Sequence, residues 1–126
     1  MHILPQWSEP AIRVLMMPRD TNAHGTIFGG VILSHVDLAG AIVASRVGPR
    51  NFVTRAIHEV EFIAPVYVGD VVSLYASVHK RGNTSVAIKV DVEAERFSEP
   101  GVVAKVTTAE VVYVAVDKSG KPIPIA

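Results

Sequence analysis

A single acid, Asp37, lies inside the longest apolar segment of the chain, near residues 27–47, and a polar, glycine-bearing loop precedes that segment. A charge buried in a helix is costly unless it is paired or has a function. The loop carries Asn22 and His24, and Gly29 follows at the predicted start of the helix, where free N–H groups favour a developing oxyanion. An acid, an oxyanion donor and an amide that holds water are the groups needed to add water to an acyl carbon.

Each of these residues also has a purely structural interpretation. Asp37 could bond to a backbone group or belong to an ion pair, because such networks account for many buried acids. Asn22 could form an Asx-turn, and the Gly29-Gly30 pair could permit close packing of the helix. His24 could be a surface histidine, and we expect it to support substrate binding rather than catalysis.

The residue pattern predicts one helix, at 28–46, which Gly48-Pro49 ends, and five strands around it. The strands are predicted at 11–17, 52–63, 71–80, 85–96 and 102–116. Short turns link the later strands, so we expect the last four to form an antiparallel meander. The helix is apolar nearly all round, and such a helix must be wrapped by a sheet or lie at an interface. We therefore expect an α+β fold, with a curved sheet of about five strands around one long central helix.

The faces of the predicted helix differ in side-chain size. The bulkier face, expected against the sheet, carries Ile32, Val36, Ala39 and Val43. Small residues surround Asp37 on the other face, namely Gly30, Ser34, Gly40, Ala41 and Ala44. We expect this small-residue face to let a substrate or another backbone approach the acid.

Length and composition limit the remaining possibilities. The 126 residues suit one domain, 1–126, with an N-terminal arm at 1–9 and a C-terminal tail at 118–126. Acidic and basic residues balance at 12 each, which argues against nucleic-acid or anionic-membrane binding. With 49% apolar residues and no net charge, we expect a homo-oligomer.

Several site types and locations are not expected. The chain has no cysteine, and its five histidines are not paired at ligand spacing, so we expect no metal site. The N-terminal residues lack a signal-peptide pattern, and polar residues interrupt the longest apolar run, so we expect a cytoplasmic protein.

The string Asp20-Thr-Asn22-Ala-His24-Gly25-Thr-Ile-Phe28-Gly29-Gly30, with Asp37 seven residues later, resembles the active-site segment of hot-dog fold acyl-CoA thioesterases. The cytosolic acyl-CoA hydrolase branch is the most similar. Further similar segments follow in the family's order: FIAPVYVGDVV at 62–72, GNTS at 82–85 and VAVD at 114–117. The resemblance covers about residues 10–122, and the joint spacing of the segments makes it specific.

This resemblance implies thioester hydrolysis with Asp37 as general base or nucleophile. The Gly29 N–H would polarise the thioester carbonyl, and Asn22 would orient that carbonyl or the attacking water. Asn22 and Gly29 would come from one protomer and Asp37 from its dimer mate, with the Thr54 hydroxyl beside the acid. The family often forms trimers of such dimers, and it uses no metal or cofactor; coenzyme A enters only as part of the substrate and product.

Substrate contacts are expected at three places. Phe28, with Ile32 and Val36, could line an apolar tunnel for the acyl chain, while His24 and Gly30 lie in the loop that approaches the substrate. The phosphates of coenzyme A would need a local basic patch, because the net charge is zero. Candidates are Arg55, Lys80, Arg81 and the turn of Gly82, Thr84 and Ser85. For each of these charges, a solvated position flanking a hairpin is an equal alternative.

Two other functions compete with this interpretation. The (R)-specific enoyl-CoA hydratases use an Asp and a His in a stretch resembling D-x-N-P-x-H. Here His24 comes one residue early, the proline is missing, and Asp37 would have no role. A non-catalytic acyl-CoA-binding module would not need an acid at position 37.

Overall fold

The computed structural model describes residues 9–126, so the predicted N-terminal arm lies, up to residue 8, outside the described residues. The described part contains one helix, α1, and five strands, in the predicted sequence order. The elements are β1 Ile12–Leu15, α1 Gly29–Ala44, β2 Asn51–Phe62, β3 Val71–Arg81, β4 Ser85–Glu95 and β5 Val103–Val116. β1 is shorter than predicted because the chain enters a 3-10 turn, Pro18–Asp20, whose Asp20 carboxylate accepts a hydrogen bond from the Met17 N–H.

The five strands form one antiparallel sheet in the order β1-β3-β4-β5-β2. The predicted four-strand meander was therefore wrong for β2, which pairs with β5 and not with β3. Residues 63–70 carry the chain from one edge of the sheet to β3 near the other. Alternation of apolar residues along a strand predicts which of its side chains share a face. It does not predict which strand pairs with it, because the same face is buried whichever strand lies beside it.

The concave face of the sheet holds α1 and the main core. Ile32, Val36 and Ala39 are buried there, as predicted for the bulkier helix face. The prediction of an open small-residue face was wrong for Gly40 and Ala44, which are also buried in this core. Gly30, Ser34 and Ala41 are exposed, so only part of the small-residue face remains open. The result is the α+β arrangement expected of a hot-dog fold.

β2 forms one edge of the sheet and is 12 residues long. Its side chains are largely exposed, including Val53 at 48% and Phe62 at 51%. Leu38 on α1 and Phe28 just before the helix are similarly exposed, at 57% and 58%. A long apolar edge strand readily pairs with another strand, so this edge is the natural place for a second chain to add.

The C-terminal residues, predicted as a polar tail, fold back onto the sheet. Asp117 accepts a hydrogen bond from the Gly120 N–H, and the chain then returns so that the Ile123 N–H donates to Ala115 O at 2.9 Å. The side chain of Ile125 is 1% exposed and belongs to the core. Within residues 9–126, no helix has both the length and the hydropathy needed to cross a bilayer.

Candidate active site

Asp37 lies in the middle of α1 and is half-buried. Its carboxylate atom Oδ1 accepts a hydrogen bond from the Thr54 hydroxyl at 2.7 Å and lies 3.1 Å from the Tyr113 hydroxyl. Thr54 and Tyr113 are register partners on β2 and β5, so both hydroxyls reach the acid from neighbouring strands. Among the described residues, Oδ2 accepts no hydrogen bond. One carboxylate oxygen is thus held in place and the other is left for a ligand.

Tyr113 supplies a neutral donor at this site. Its side chain is 1% exposed, and its hydroxyl also donates to the backbone carbonyl of Asp37 at 2.5 Å. Burial raises the pKa of the phenol well above its ordinary value, and the charge of Asp37 and the hydrogen bond to it raise the pKa further. The sequence analysis did not single out Tyr113. The sequence does contain a signal for Tyr113, namely a tyrosine on the inward-facing side of the apolar strand β5. A buried phenol at such a position needs a hydrogen-bond partner.

Asn22 organises the loop before the helix. Its Oδ1 accepts hydrogen bonds from the N–H groups of His24, at 2.8 Å, and Thr26, at 3.3 Å. Its Nδ2 donates to the Thr26 hydroxyl at 2.8 Å, which leaves one amide hydrogen without a partner in residues 9–126. The structure thus contains the Asx-turn considered for Asn22. The side chain of His24 is exposed at the tip of this loop.

The first turn of α1 presents free backbone donors. Gly29 is the first helical residue, and neither its N–H nor that of Gly30 meets a backbone acceptor in the described part of the chain. Gly29 borders an apolar cavity of about 320 Å³. The cavity is lined by Ile27, Gly29, Ile32, Phe62, Ile63, Ala64, Pro65, Val66 and Val106. Ile32 therefore reaches a cavity that an acyl chain could enter, whereas Val36 is wholly inside the core. Phe28 is exposed, with its ring beside Gly30.

One chain does not bring the acid and the oxyanion donor together. Asp37 follows Gly29 by eight positions in the same helix, which places the two about 12 Å apart along the helix axis. A carbonyl within hydrogen-bonding distance of the Gly29 N–H is therefore out of reach of the carboxylate in the same chain.

The basic candidates lie apart from the acid. Arg55 is exposed at a β-bulge beside Thr54. Arg81 ends β3, and together with Arg46, which the sequence analysis did not consider, it lines a groove of about 570 Å³ near the end of α1. The neighbouring turn closes with a hydrogen bond of 2.7 Å from the Gly82 N–H to Ser85 O, and Thr84 lies in this turn. Lys80 is exposed beside Arg81.

No group of three or more His, Asp or Glu side chains that could hold a metal ion is found within residues 9–126. The site described here therefore consists of one carboxylate, two hydroxyls that face it, and a separate set of backbone N–H groups at the helix start.

Comparison with known proteins shows which family the chain is similar to. The model of the thioesterase superfamily matches residues 24–98. The chain is 46% identical over 119 residues to acyl-CoA thioester hydrolase YciA of Salmonella typhimurium, covering 93% of this chain and 90% of that protein. It is 45% identical over 123 residues to the YciA of Escherichia coli, with 96% and 92% covered.

Solved structures agree with this placement. The crystal structure of a hexameric hotdog fold thioesterase of Campylobacter jejuni is 44% identical, with a TM-score of 0.88 over 94% of this chain and 90% of that one. A hexameric thioesterase of Yersinia pestis is 41% identical, with a TM-score of 0.89 and 98% of both chains covered.

Proposed function

This chain belongs to the thioesterase superfamily, and from that premise we propose that it hydrolyses acyl-CoA with Asp37 of one protomer and the Gly29 N–H of its dimer mate. The products are free coenzyme A and a fatty or other carboxylic acid. The observation that carries this proposal is the separation of about 12 Å between the two groups within one helix. Each group is available to a ligand, yet the two can serve one carbonyl only if they come from different chains.

The exposed edge of β2 supports a two-fold dimer. Pairing of β2 with its copy would continue the sheet across the dimer and set the two α1 helices side by side and antiparallel. The proposal requires that the start of each helix face the middle of the other, where Asp37 lies. The exposed Leu38 and Phe62 would be covered by the same contact. By analogy with the hexameric relatives, we propose that three such dimers assemble into a hexamer, in the cytoplasm.

The chemistry follows from the roles of four groups. The free Oδ2 of Asp37 takes a proton from water as that water attacks the thioester carbon. The partner's helix start donates the N–H of Gly29 to the oxygen of the tetrahedral intermediate, which then expels the coenzyme A thiolate. Thr54 holds the second carboxylate oxygen, and the unused amide hydrogen of Asn22 is available to the water or the carbonyl. These steps require no metal or cofactor.

A direct attack by the carboxylate is the second route open to Asp37. It would form a mixed anhydride between the acyl group and the protein. A single turnover in heavy-oxygen water tests for the anhydride, because the general-base route never labels the protein and puts the label only in the released acid. If water then attacks the carboxylate carbon of the anhydride, the first label stays in the protein.

The substrate is expected to lie along α1, with its acyl chain near the start of the helix and the phosphates of its coenzyme A near the end. The apolar cavity beside Gly29 would take the acyl chain near the carbonyl. The groove with Arg81 and Arg46, which Glu9 also lines, would take the phosphates of coenzyme A, since two guanidinium groups against one carboxylate leave a net positive charge. Further candidates for contacts with the coenzyme A part of the substrate are Arg55, His24 and the Gly82–Ser85 turn.

A proline at position 29 tests the oxyanion donor directly. Proline is well tolerated as the first residue of a helix, and Phe28 already has the extended conformation, with ψ at 131°, that a residue before proline requires. Gly29→Pro thus deletes the N–H while preserving the helix, and it should lower kcat by about 10²–10³-fold. Gly29→Ala is the matched control, since its Cβ would make an ordinary contact of 3.5 Å with the Phe62 ring and it keeps the N–H.

Mixed dimers then test whether the site is shared. Asp37→Asn and Gly29→Pro chains should each be nearly inactive alone. After random re-association, a mixed dimer has one intact site, so about a quarter of the wild-type activity should return. Activity that stays at the sum of the two single variants would contradict a site built from two chains.

A further inference from the structure

A glycine occupies the interior of the helix that carries the acid. Gly40 lies three residues after Asp37 and is buried. Glycine destabilises a helix relative to alanine, so its presence here calls for a local reason. The reason is steric: a Cβ at position 40 would collide with the hydroxyl of Tyr113 and would lie 3.0 Å from two ring carbons of that tyrosine.

The absent side chain lets the phenol pass close to the helix backbone. The Tyr113 hydroxyl reaches the carbonyl of Asp37 at 2.5 Å and comes within 3.1 Å of its Oδ1. The Thr54 hydroxyl donates to the same Oδ1 at 2.7 Å. Both hydroxyls therefore lie on one oxygen of the carboxylate, and the phenol also touches the backbone from which the carboxylate projects.

We propose that Tyr113, admitted by Gly40, is a positioning residue that fixes the plane of the Asp37 carboxylate and turns Oδ2 toward the reacting water. This inference rests on the proposed role of Asp37. The carboxylate torsion of an aspartate is broad, so an unanchored group would sample many orientations. The Thr54 hydrogen bond and the close Tyr113 hydroxyl, whose one proton is shared with the Asp37 carbonyl, restrict that torsion, because rotation of the carboxylate would lose both contacts.

Tyr113 acts through Asp37 and does not touch the substrate. Its side chain is 1% exposed and lies between β5 and α1, where a bound substrate would not reach it. Loss of its hydroxyl should consequently change the chemical step and not substrate binding. A misplacement of a reacting group by about 1 Å lowers rates by about 10²-fold.

The first variant to measure is Tyr113→Phe, which removes only the hydroxyl. We expect kcat for acyl-CoA hydrolysis to fall by about 10–100-fold while KM changes less than about two-fold. Tyr75→Phe is the matched control, because Tyr75 lies half-buried on β3 opposite Asp91 and away from α1. It should leave both parameters unchanged. A Tyr113→Phe enzyme with wild-type kcat, or one in which KM rises and kcat does not fall, would overturn the inference.

A second variant tests the part played by Gly40. In Gly40→Ala the added methyl group should displace the phenol and lower kcat to a similar degree. In the Tyr113→Phe background the same alanine should lower kcat by less than about two-fold more, since the hydroxyl that makes the closest contact is gone and the ring carbons, at 3.0 Å, need to move by only a few tenths of an ångström. If the two losses multiply instead, Gly40 and Tyr113 do not act together and the inference is wrong. If Gly40→Ala fails to fold, Gly40→Ala/Tyr113→Phe must recover folded protein, by circular dichroism, for the inference to stand.

Asp37→Asn separates this inference from the proposed function. If Asp37→Asn keeps most of the wild-type kcat, the proposed function fails, and the role of Tyr113 fails with it. If Asp37→Asn is nearly inactive while Tyr113→Phe keeps the wild-type kcat, only the role of Tyr113 is refuted. If both fall, adding Tyr113→Phe to Asp37→Asn should cause little further loss.

Discussion

A buried ion pair between Asp70 and Arg96 connects the segment between β2 and β3 to the end of β4. Asp70 is 1% exposed, and its Oδ2 lies 2.8 Å from Arg96 Nη1 and accepts the Tyr67 N–H at 3.0 Å. Its Oδ1 accepts the Phe97 N–H, also at 3.0 Å. Replacing Asp70 by alanine therefore removes the acceptor of three donors and leaves one guanidinium largely buried without a countercharge.

The size of the effect follows from these contacts. Breaking a buried ion pair by removing one partner costs about 3–5 kcal/mol. Arg96 is 14% exposed, keeps its hydrogen bond to Pro65 O and still lies over the Tyr67 ring, so we expect about 3 kcal/mol for Asp70→Ala. For 126 residues, an unfolding entropy of about 2.1 cal/mol/K per residue converts this loss into a fall in Tm of about 11 °C.

Thermal unfolding measured at one fixed protein concentration checks this value, since the stability of an oligomer depends on concentration. Asp70→Asn keeps the shape of the side chain but places its N–H₂ group against one of the three donors. It should lower the free energy of unfolding by about 1–3 kcal/mol. Asp117→Asn is the control, because that exposed carboxylate accepts hydrogen bonds only from its own turn, through an oxygen that asparagine retains. A Tm for Asp70→Ala within about 3 °C of wild type would refute the reasoning.

Two further predictions concern pH and the substrate. The pKa of Tyr113 is raised in the fold, so above pH ~10 the unfolded chain loses a proton that the folded chain keeps, and stability falls as the pH rises. Chemical denaturation between pH 9 and 11 should therefore show a shallower alkaline loss for Tyr113→Phe than for wild type, and equal slopes would contradict this. Arg81→Ala should raise KM for acyl-CoA several-fold, which corresponds to a loss of about 1 kcal/mol in binding free energy, with little change in kcat. Lys89→Ala is the control, because Lys89 lies on the sheet face away from α1, and it should change neither parameter. An unchanged KM for Arg81→Ala would contradict the assignment of that groove as the phosphate site.

The local features of the site were accessible from sequence because they depend on short-range rules. A loop of turn-forming residues before an apolar period predicts a helix start, and the start of any helix carries free N–H groups. Asp37 stands out because a charge interrupts an otherwise apolar helix. Tyr113 did not stand out, and Gly40 was interpreted only as one of several small residues near Asp37, since the role of both lies in one contact between β5 and α1 across the core, 73 positions apart in the chain.

By itself the sequence determined the order of elements and the burial of one helix face, because these follow from local conformational preference and hydrophobic periodicity. The tertiary structure alone decided that β2 lies at the edge beside β5, that the small-residue face is half covered, and that two hydroxyls converge on one oxygen of Asp37. The physical reason is that strand neighbours and cross-core contacts are selected by the packing of the whole chain, which no segment specifies alone.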